Sequence, residues 1–316
     1  MNSQIIYNVP HAMPFQWPIA LYFYFTGLSA GSFFISVLTR LLGLTAFKRL
    51  GRIAAILAPV LLVVAPAFLI ADLEQPLRFY RVIIYQNPTS PISYGAYLLT
   101  LYPISAVLYA YFLFRDEIKG SAWYRVGGAL GLNKLNADQA TYFFGIVGIP
   151  LAVAVHGYTG FIIGIAKSRE LWNSALMPTL FLVSAIVSGI ALVILTSIVL
   201  DRKHAAENSE LHASLGKVLG GVILVDLFMV GSDLLVLLSG QGEARAAAKL
   251  LLTGSFAPVF LGVEILLGAL IPLFIVFNRR TATRIAWQAV ASALVLIGVL
   301  AMRYVLVLGG QKIPLS

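Results

Sequence analysis

Runs of predominantly apolar residues recur eight times along the chain, at about 18–40, 53–74, 92–114, 140–166, 174–200, 215–239, 254–277 and 285–308. Each is long enough for a helix to cross the hydrocarbon of a bilayer, which takes about 20 residues at roughly 1.5 Å per residue. The runs are continuous and do not alternate in ten-residue units, so they predict helices and not a barrel. The polar stretches between them are too short for a separate soluble domain. Residues 1–316 therefore read as one all-α integral membrane domain of eight transmembrane helices.

The basic residues between the runs give an orientation. The loops after the first, third, fifth and seventh helices hold Arg40, Lys48, Arg49, Arg52, Arg115, Lys119, Arg125, Lys134, Arg202, Lys203, Lys217, Arg279, Arg280 and Arg284. The opposite side holds Arg78, Arg81, Lys167, Arg169, Arg245, Lys249, Arg303 and Lys312. Lys and Arg favour the cytoplasmic side, so both termini are expected outside, on the periplasmic face. The first seventeen residues carry no Lys or Arg. That agrees with an outer N-terminus and predicts no cleavable leader.

Composition narrows the class further. Hydrophobic residues make up 59% and charged residues only 11%, against about 25% charged in a soluble domain. The formal charge of +9 follows the loops and reads as topology, so no nucleic-acid partner is expected. The absence of cysteine leaves no thiolate for an iron–sulfur cluster or for zinc. Of the four histidines, His11, His156, His204 and His212, only His156 falls inside a predicted span. A two-haem cytochrome would need four such ligands, so no haem and no metal site is predicted.

A weak internal echo links GLSAGSFFISVLT in the first helix to AIVSGIALVILT in the fifth. It suggests two four-helix bundles in a parallel repeat, although close packing through small residues explains it equally well.

Ionisable residues in the hydrocarbon are costly, and by default they mark function. His156, Asp226, Asp233 and Glu264 fall there. Asp226 and Asp233 are seven apart and share a helix face. With Glu264 they could form a proton path, or else a buried polar network with Arg303 as its cation. A second cluster is expected at the outer face. It contains Asp72 and Glu74 at the end of the second helix, Trp17 and Tyr22 at the start of the first, and the segment His156-Gly157-Tyr158-Thr159-Gly160 in the fourth. Trp123 and Trp172 read as interfacial anchors. A phenol beside a carboxylate can hydrogen-bond a quinone carbonyl and pass it a proton.

The stretches WPIALYFYFTGLSAGSFF, DLEQPLRFY with NPTSPISYGAYLL, HGYTGFIIGIAKSRELWNSALMPTLFLVSAIVSG and MRYVLVLGGQ resemble the NrfD family, the membrane subunits of polysulfide reductase and formate-dependent nitrite reductase complexes. The resemblance covers nearly the whole sequence. It implies a subunit of the bacterial or archaeal cytoplasmic membrane without a redox cofactor of its own. Such a subunit exchanges electrons between menaquinone or ubiquinone and a ferredoxin-like iron–sulfur subunit on the outer face, which serves a catalytic, often molybdopterin, subunit. The family's quinone-bonding tyrosine corresponds to Tyr158, and its acidic residue to Asp72 or Glu74. Where some members carry Asn and His on the first helix, this protein has Ile19 and Tyr22. A proton-coupled secondary transporter is the alternative, with helices broken at Pro59, Pro66 or Pro150. A plain membrane anchor is the third reading, which leaves the intramembrane acids unexplained.

Overall fold

The computed structural model describes residues 15–85 and 87–313. Residues 1–14, with His11 and most of the N-terminal stretch that lacks basic residues, lie outside them. The described residues form helices joined by short turns, with no strand among them. Eight helices are long and apolar enough to span a membrane: α1 (Trp17–Leu41), α2 (Thr45–Ala71), α3 (Pro91–Phe114), α4 (Ala137–Gly164), α5 (Met177–Leu200), α6 (Ser209–Ser239), α7 (Pro258–Phe277) and α8 (Ile285–Gly309). All eight apolar runs are thus helical spans.

The differences from expectation are at the ends and inside α7. The second helix stops at Ala71, with Asp72 as its C-cap and Glu74 in the turn beyond. Helix α6 begins six residues earlier than the apolar run, so Lys217 belongs to the helix and not to a loop. Pro59, Pro66 and Pro150 all lie inside continuous helices. Residues Pro258–Leu270 of α7 and Val305–Gly309 of α8 wind as π-helix, a form found mostly in short stretches and often at functional sites. Neither apolar pattern foreshadows it.

Helix α1 is central. It packs against α2, α4, α5 and α8. Helix α3 packs on α2 and α4, whereas α6 and α7 pack on α5 and α8. The crossing of α1 with α5 depends on Gly31 and Gly189. A Cβ at Gly31 would lie 2.9 Å from the Cα of Gly189, and one at Gly189 would lie 2.5 Å from the Cα of Gly31. These are the glycines of the two echoed segments, so the echo coincides with a backbone-to-backbone contact.

The two ends are fastened differently. At the Lys/Arg-rich end, Arg40 pairs with Asp138 at 2.6 Å, Arg49 with Asp201 at 2.8 Å, and Arg52 with Glu117. These ties join α1 to α4, α2 to the α5–α6 turn, and α2 to the end of α3. At the other end the clamp is neutral. The buried Gln311 side chain accepts from the Phe15 N–H at 3.0 Å and donates to the Phe15 carbonyl at 2.8 Å, fixing the start of α1 to the end of α8. Trp172 is buried in the core and donates to the Leu306 carbonyl at 2.6 Å. It is a packing residue, not the surface anchor expected, because its indole N–H shares the Leu306 carbonyl with the Gly310 N–H. Trp123 is exposed.

Gly31→Val puts branched carbon into the α5 backbone. The expected loss is at least about 1–3 kcal/mol, read as a lower melting temperature of the detergent-solubilised protein.

Candidate functional site

The end of the molecule opposite the Lys/Arg-rich loops gathers part of the expected outer cluster. Tyr158 lies half-buried on α4 with its ring flat across Gly95 of α3. A Cβ at Gly95 would come within 2.6 Å of the phenol oxygen, so only glycine allows the ring to rest there. Gly95 was not singled out in the sequence, where it appears only as one of 27 glycines. Tyr22 of α1 is buried and close enough to Tyr158 for the two phenols to interact electrostatically. Its ring packs on Phe23, and Phe25 stacks on Phe68 of α2 at 5.3 Å. The Phe25–Phe68 contact holds α1 to α2.

Asp72 closes the same end of α2. Its carboxylate accepts from the Gln16 N–H at 3.3 Å, joining the end of α2 to the start of α1. Partial burial pushes this carboxyl above its ordinary range, while the Gln16 N–H pulls it back down. Glu74 and Trp17 are exposed at this end. The Asp72 turn continues into a segment whose Leu77, Ile84 and Tyr85 are largely exposed; its Arg81–Ile84 turn packs on α3. The arrangement offers two hydroxyl groups and a carboxyl, framed by apolar and aromatic side chains. Phenols can donate and accept, and a carboxylate accepts. Among the described residues no group of three His, Cys, Asp or Glu side chains gathers as a metal site would.

A second site lies deeper, between the two halves of the molecule. Arg303 is fully buried in α8, just before its π-wound end. It is not a loop cation, so the count of basic residues on the outer side falls by one. Its Nη2 donates to Ser184 Oγ at 2.6 Å, to the Phe181 carbonyl at 3.2 Å and to His156 Nε2 at 3.2 Å. The guanidinium carbon stands 3.8 Å over the Phe181 ring. Since Arg cannot accept, His156 Nε2 carries a lone pair here and the ring proton sits on Nδ1. His156 thus belongs to the Arg303 cluster, with its ring against Gly27; it does not complete the Tyr158 cluster. Ser184 and Phe181 had no signal of their own in the sequence.

Asp226 and Glu264 face the same cation without touching it. Both interact electrostatically with Arg303 and with each other, yet no ion pair within 4.0 Å forms between them among the described residues. Asp226 Oδ1, Glu264 Oε2, and Arg303 Nε and Nη1 are buried with no protein hydrogen-bond partner. Buried polar atoms need partners or water. Asp233 stands near Ser174 and shares with Glu264 a cavity of about 30 Å³, larger than the roughly 10–15 Å³ a water molecule requires. The structure therefore brings Asp226, Glu264 and Arg303 together, with Asp233 one cavity away.

The raised Asp72 carboxyl has a consequence for stability. Its contribution is fully present below the ordinary carboxylate range and is lost as pH rises through the higher folded-state value. Asp72→Asn is expected to remove that part of the pH dependence, checked by melting curves between about pH 4 and about pH 8.

Three relatives extend over most of the sequence. A selenate reductase subunit of Mesobacillus selenatarsenatis is 30% identical over 94% of this protein and 74% of its own length. The Hdr-like menaquinol oxidoreductase integral membrane subunit of Archaeoglobus fulgidus is 30% identical over 92% of this protein and 69% of its own length. A polysulfide reductase polypeptide of Wolinella succinogenes is 28% identical, covering 94% of both. The family profile described as "Polysulphide reductase, NrfD" matches residues 7–314. With eight membrane-length helices and a match over nearly its whole length, the protein is a multi-pass membrane protein and belongs to the NrfD polysulphide reductase family.

Proposed function

We propose that the protein is the quinone-interacting membrane subunit of a respiratory oxidoreductase, built as one integral domain of the bacterial or archaeal cytoplasmic membrane. The observation that carries the reading is Tyr158 seated on Gly95, with Tyr22 behind it and Asp72 at the same helix ends. Two hydroxyls and a carboxyl among apolar walls fit a ring with two opposed oxygens. When bound, menaquinone or ubiquinone supplies two-electron chemistry that takes up or releases two protons. Tyr158 would hydrogen-bond one ring oxygen, with Gly95 fixing the height of its ring. Tyr22 would polarise Tyr158 from the buried side. Asp72, whose carboxyl partial burial raises, would hydrogen-bond at the mouth, with Glu74 beside it at the water boundary. Trp17 would form part of the apolar rim.

The relatives support the assembly. Their names are those of reductase and menaquinol oxidoreductase subunits. For this protein we infer an iron–sulfur partner of ferredoxin type on the outer face, and through it a catalytic, molybdopterin-type subunit. The lysine and arginine distribution favours both termini on that face, and we read the eight helices as two four-helix bundles joined through the contact of α1 with α5. Asp226, Asp233, Glu264 and Arg303 form the proton path of this reading, with His156 linking Arg303 to the helix that carries Tyr158. The transporter alternative expects helices broken at proline, whereas Pro59, Pro66 and Pro150 sit in continuous helices.

Purification in mild detergent should yield an iron–sulfur protein and a bound quinone by mass spectrometry. A solitary protein without quinone would return the weight to a transporter. Tyr158→Phe is expected to lower quinol turnover about 10²-fold or more while the complex still assembles. Asp226→Asn should lower the number of protons moved per electron and leave uncoupled electron transfer intact; an unchanged proton-to-electron ratio would make Asp226 a packing residue.

A further inference from the structure

A line of hydroxyl side chains runs through the first four helices and belongs to neither site described above. Thr26, Ser29, Ser32, Ser36 and Thr39 of α1 are all buried, and steps of three and four put them on one face of the helix. Tyr102 and Tyr109 of α3 face them, seven residues apart and both fully enclosed. Ser29 Oγ donates to the Ala58 carbonyl at 2.8 Å and lies 3.2 Å from the Tyr102 hydroxyl. With its own proton committed, Ser29 accepts from Tyr102. Ser36 Oγ lies 3.0 Å from the Tyr109 hydroxyl. Between these two pairs is Ser32, whose Oγ is buried without a hydrogen-bond partner.

Both ends of the line lead somewhere. At the Lys/Arg-rich end, Ser36, Thr39 and Tyr109 line a cleft of about 660 Å³ whose walls also carry Arg40, Glu117 and Asp138. Asp138 and Glu117 are held there by Arg40 and Arg52, and Arg40 Nε is buried with no partner. At the other end, Thr26 donates within its own helix to the Tyr22 carbonyl at 2.9 Å, on the turn that follows Tyr22. The line is interrupted at one level. The Phe33 ring is fully buried, 5.7 Å from the Tyr102 ring and 5.2 Å from the Tyr109 ring, beside the unsatisfied Ser32.

Packing alone accounts for serines and threonines that bond their own helix, as Thr39 does to the Ile35 carbonyl at 2.7 Å. It accounts equally for each tyrosine hydroxyl meeting a serine of the neighbouring helix, but not for an unpartnered hydroxyl midway between the two pairs.

We infer that this line is a proton path joining the cleft at the Lys/Arg-rich end to the Tyr22–Tyr158 site, with Phe33 as its gate. Tyr109, Ser36, Ser32, Ser29 and Tyr102 act as relay hydroxyls, each receiving a proton on its oxygen and passing on another. The inference rests on the quinone reading of the Tyr158 site. The balance is two protons through the line for every two electrons exchanged with the iron–sulfur partner. They enter from the cleft when the quinone is reduced and leave toward it when the quinol is oxidised. Either way, electrons and protons reach the site from opposite ends of the molecule.

The test uses the purified complex in vesicles with the cleft facing a trapped pH dye. Turnover of a short-tailed quinone or quinol should change the internal pH by about two protons per two electrons. In Ser36→Ala/Tyr109→Phe, turnover and the internal signal should both slow at least about tenfold, with bound quinone and melting temperature retained. Normal turnover with a silent dye, or a double variant with full rate and full signal, overturns the path. Proton leak under an imposed potassium diffusion potential is read on the same vesicles without any quinone. Phe33→Ala should make the vesicles leaky, and adding Ser36→Ala/Tyr109→Phe should seal them again. Phe33→Leu serves where the alanine variant does not fold. A leak that persists without those hydroxyls, or vesicles as tight as wild type in both Phe33 variants, also overturns the path. The leak measurement separates the two ideas: a leak gated by these residues in a complex that binds no quinone keeps the path and removes the quinone reading.

Discussion

The backbone contact of α1 with α5 sets the positions of nearly everything else. At Gly31 and Gly189 no side chain separates the helices, so α1 is drawn into the middle of the molecule and must be buried on several faces at once. In a lipid environment the hydrophobic effect does not drive helices together, and close approach through small residues is one of the few sources of association. A buried helix can then carry polar groups on any face, provided each meets a partner. Helix α1 uses this freedom three times. Tyr22 meets Tyr158, Gly27 gives room to His156, and the serine and threonine line meets α3.

The same crossing brings α5 and α8 to the first half and creates the setting of Arg303. A guanidinium out of water is expensive unless hydrogen bonds and charge compensate it. Here Nη2 is satisfied by a hydroxyl, a carbonyl and an imidazole, and the Phe181 face adds a cation–π contact. The remaining nitrogens look toward Asp226 and Glu264 without contact. A cation fully locked in ion pairs would hold both carboxylates permanently charged. Separation leaves their charge state open to change, which a proton-carrying group requires. The π-wound stretch around Glu264 widens the turn at this level, so the local backbone and the incomplete pairing occur together.

What the sequence made legible follows from which signals are long and which are single atoms. Eight apolar runs are long signals, and each became a span. Helix ends were less legible, because a run such as that of α6 begins after its helix does: Ser209–Ala213 are mostly polar or small but still helical. Arg303 was counted with the basic residues of the outer side and also named as the cation of a buried network within the last span; its full burial inside α8 agrees with the second reading. Trp172 was misplaced because a tryptophan after a span is usually interfacial, and only its bond to the Leu306 carbonyl and its place in the core show that this one is buried. Gly95 and the α1 hydroxyls had no signal at all. Glycine, serine and threonine are common in membrane helices for packing alone, so their roles depend on what stands opposite them, which the order of residues does not state. The resemblance pointed to Tyr158 and to Asp72 or Glu74; the seat beneath Tyr158 and the Gln16 tie to Asp72 came from the structure.

The geometry bears on energy conservation. If electrons and protons were both exchanged at the Tyr158 end, the reaction would carry no net charge across the membrane. A relay from the opposite end changes this, because each electron reaching the site from the outer face would be matched by a proton from the other side. Such a route must not leak when the site is idle, and a line of hydroxyls that was continuously hydrogen-bonded would leak. In the proposed path the break at Phe33 and Ser32 would meet that requirement: the Phe33 ring packs on both tyrosines, and Ser32 Oγ has no partner. The Arg303 cluster resembles it, with carboxyl groups that stand close to a cation but apart from it. Both are buried polar groups held one step short of full satisfaction, which is what a proton-carrying role would require of them.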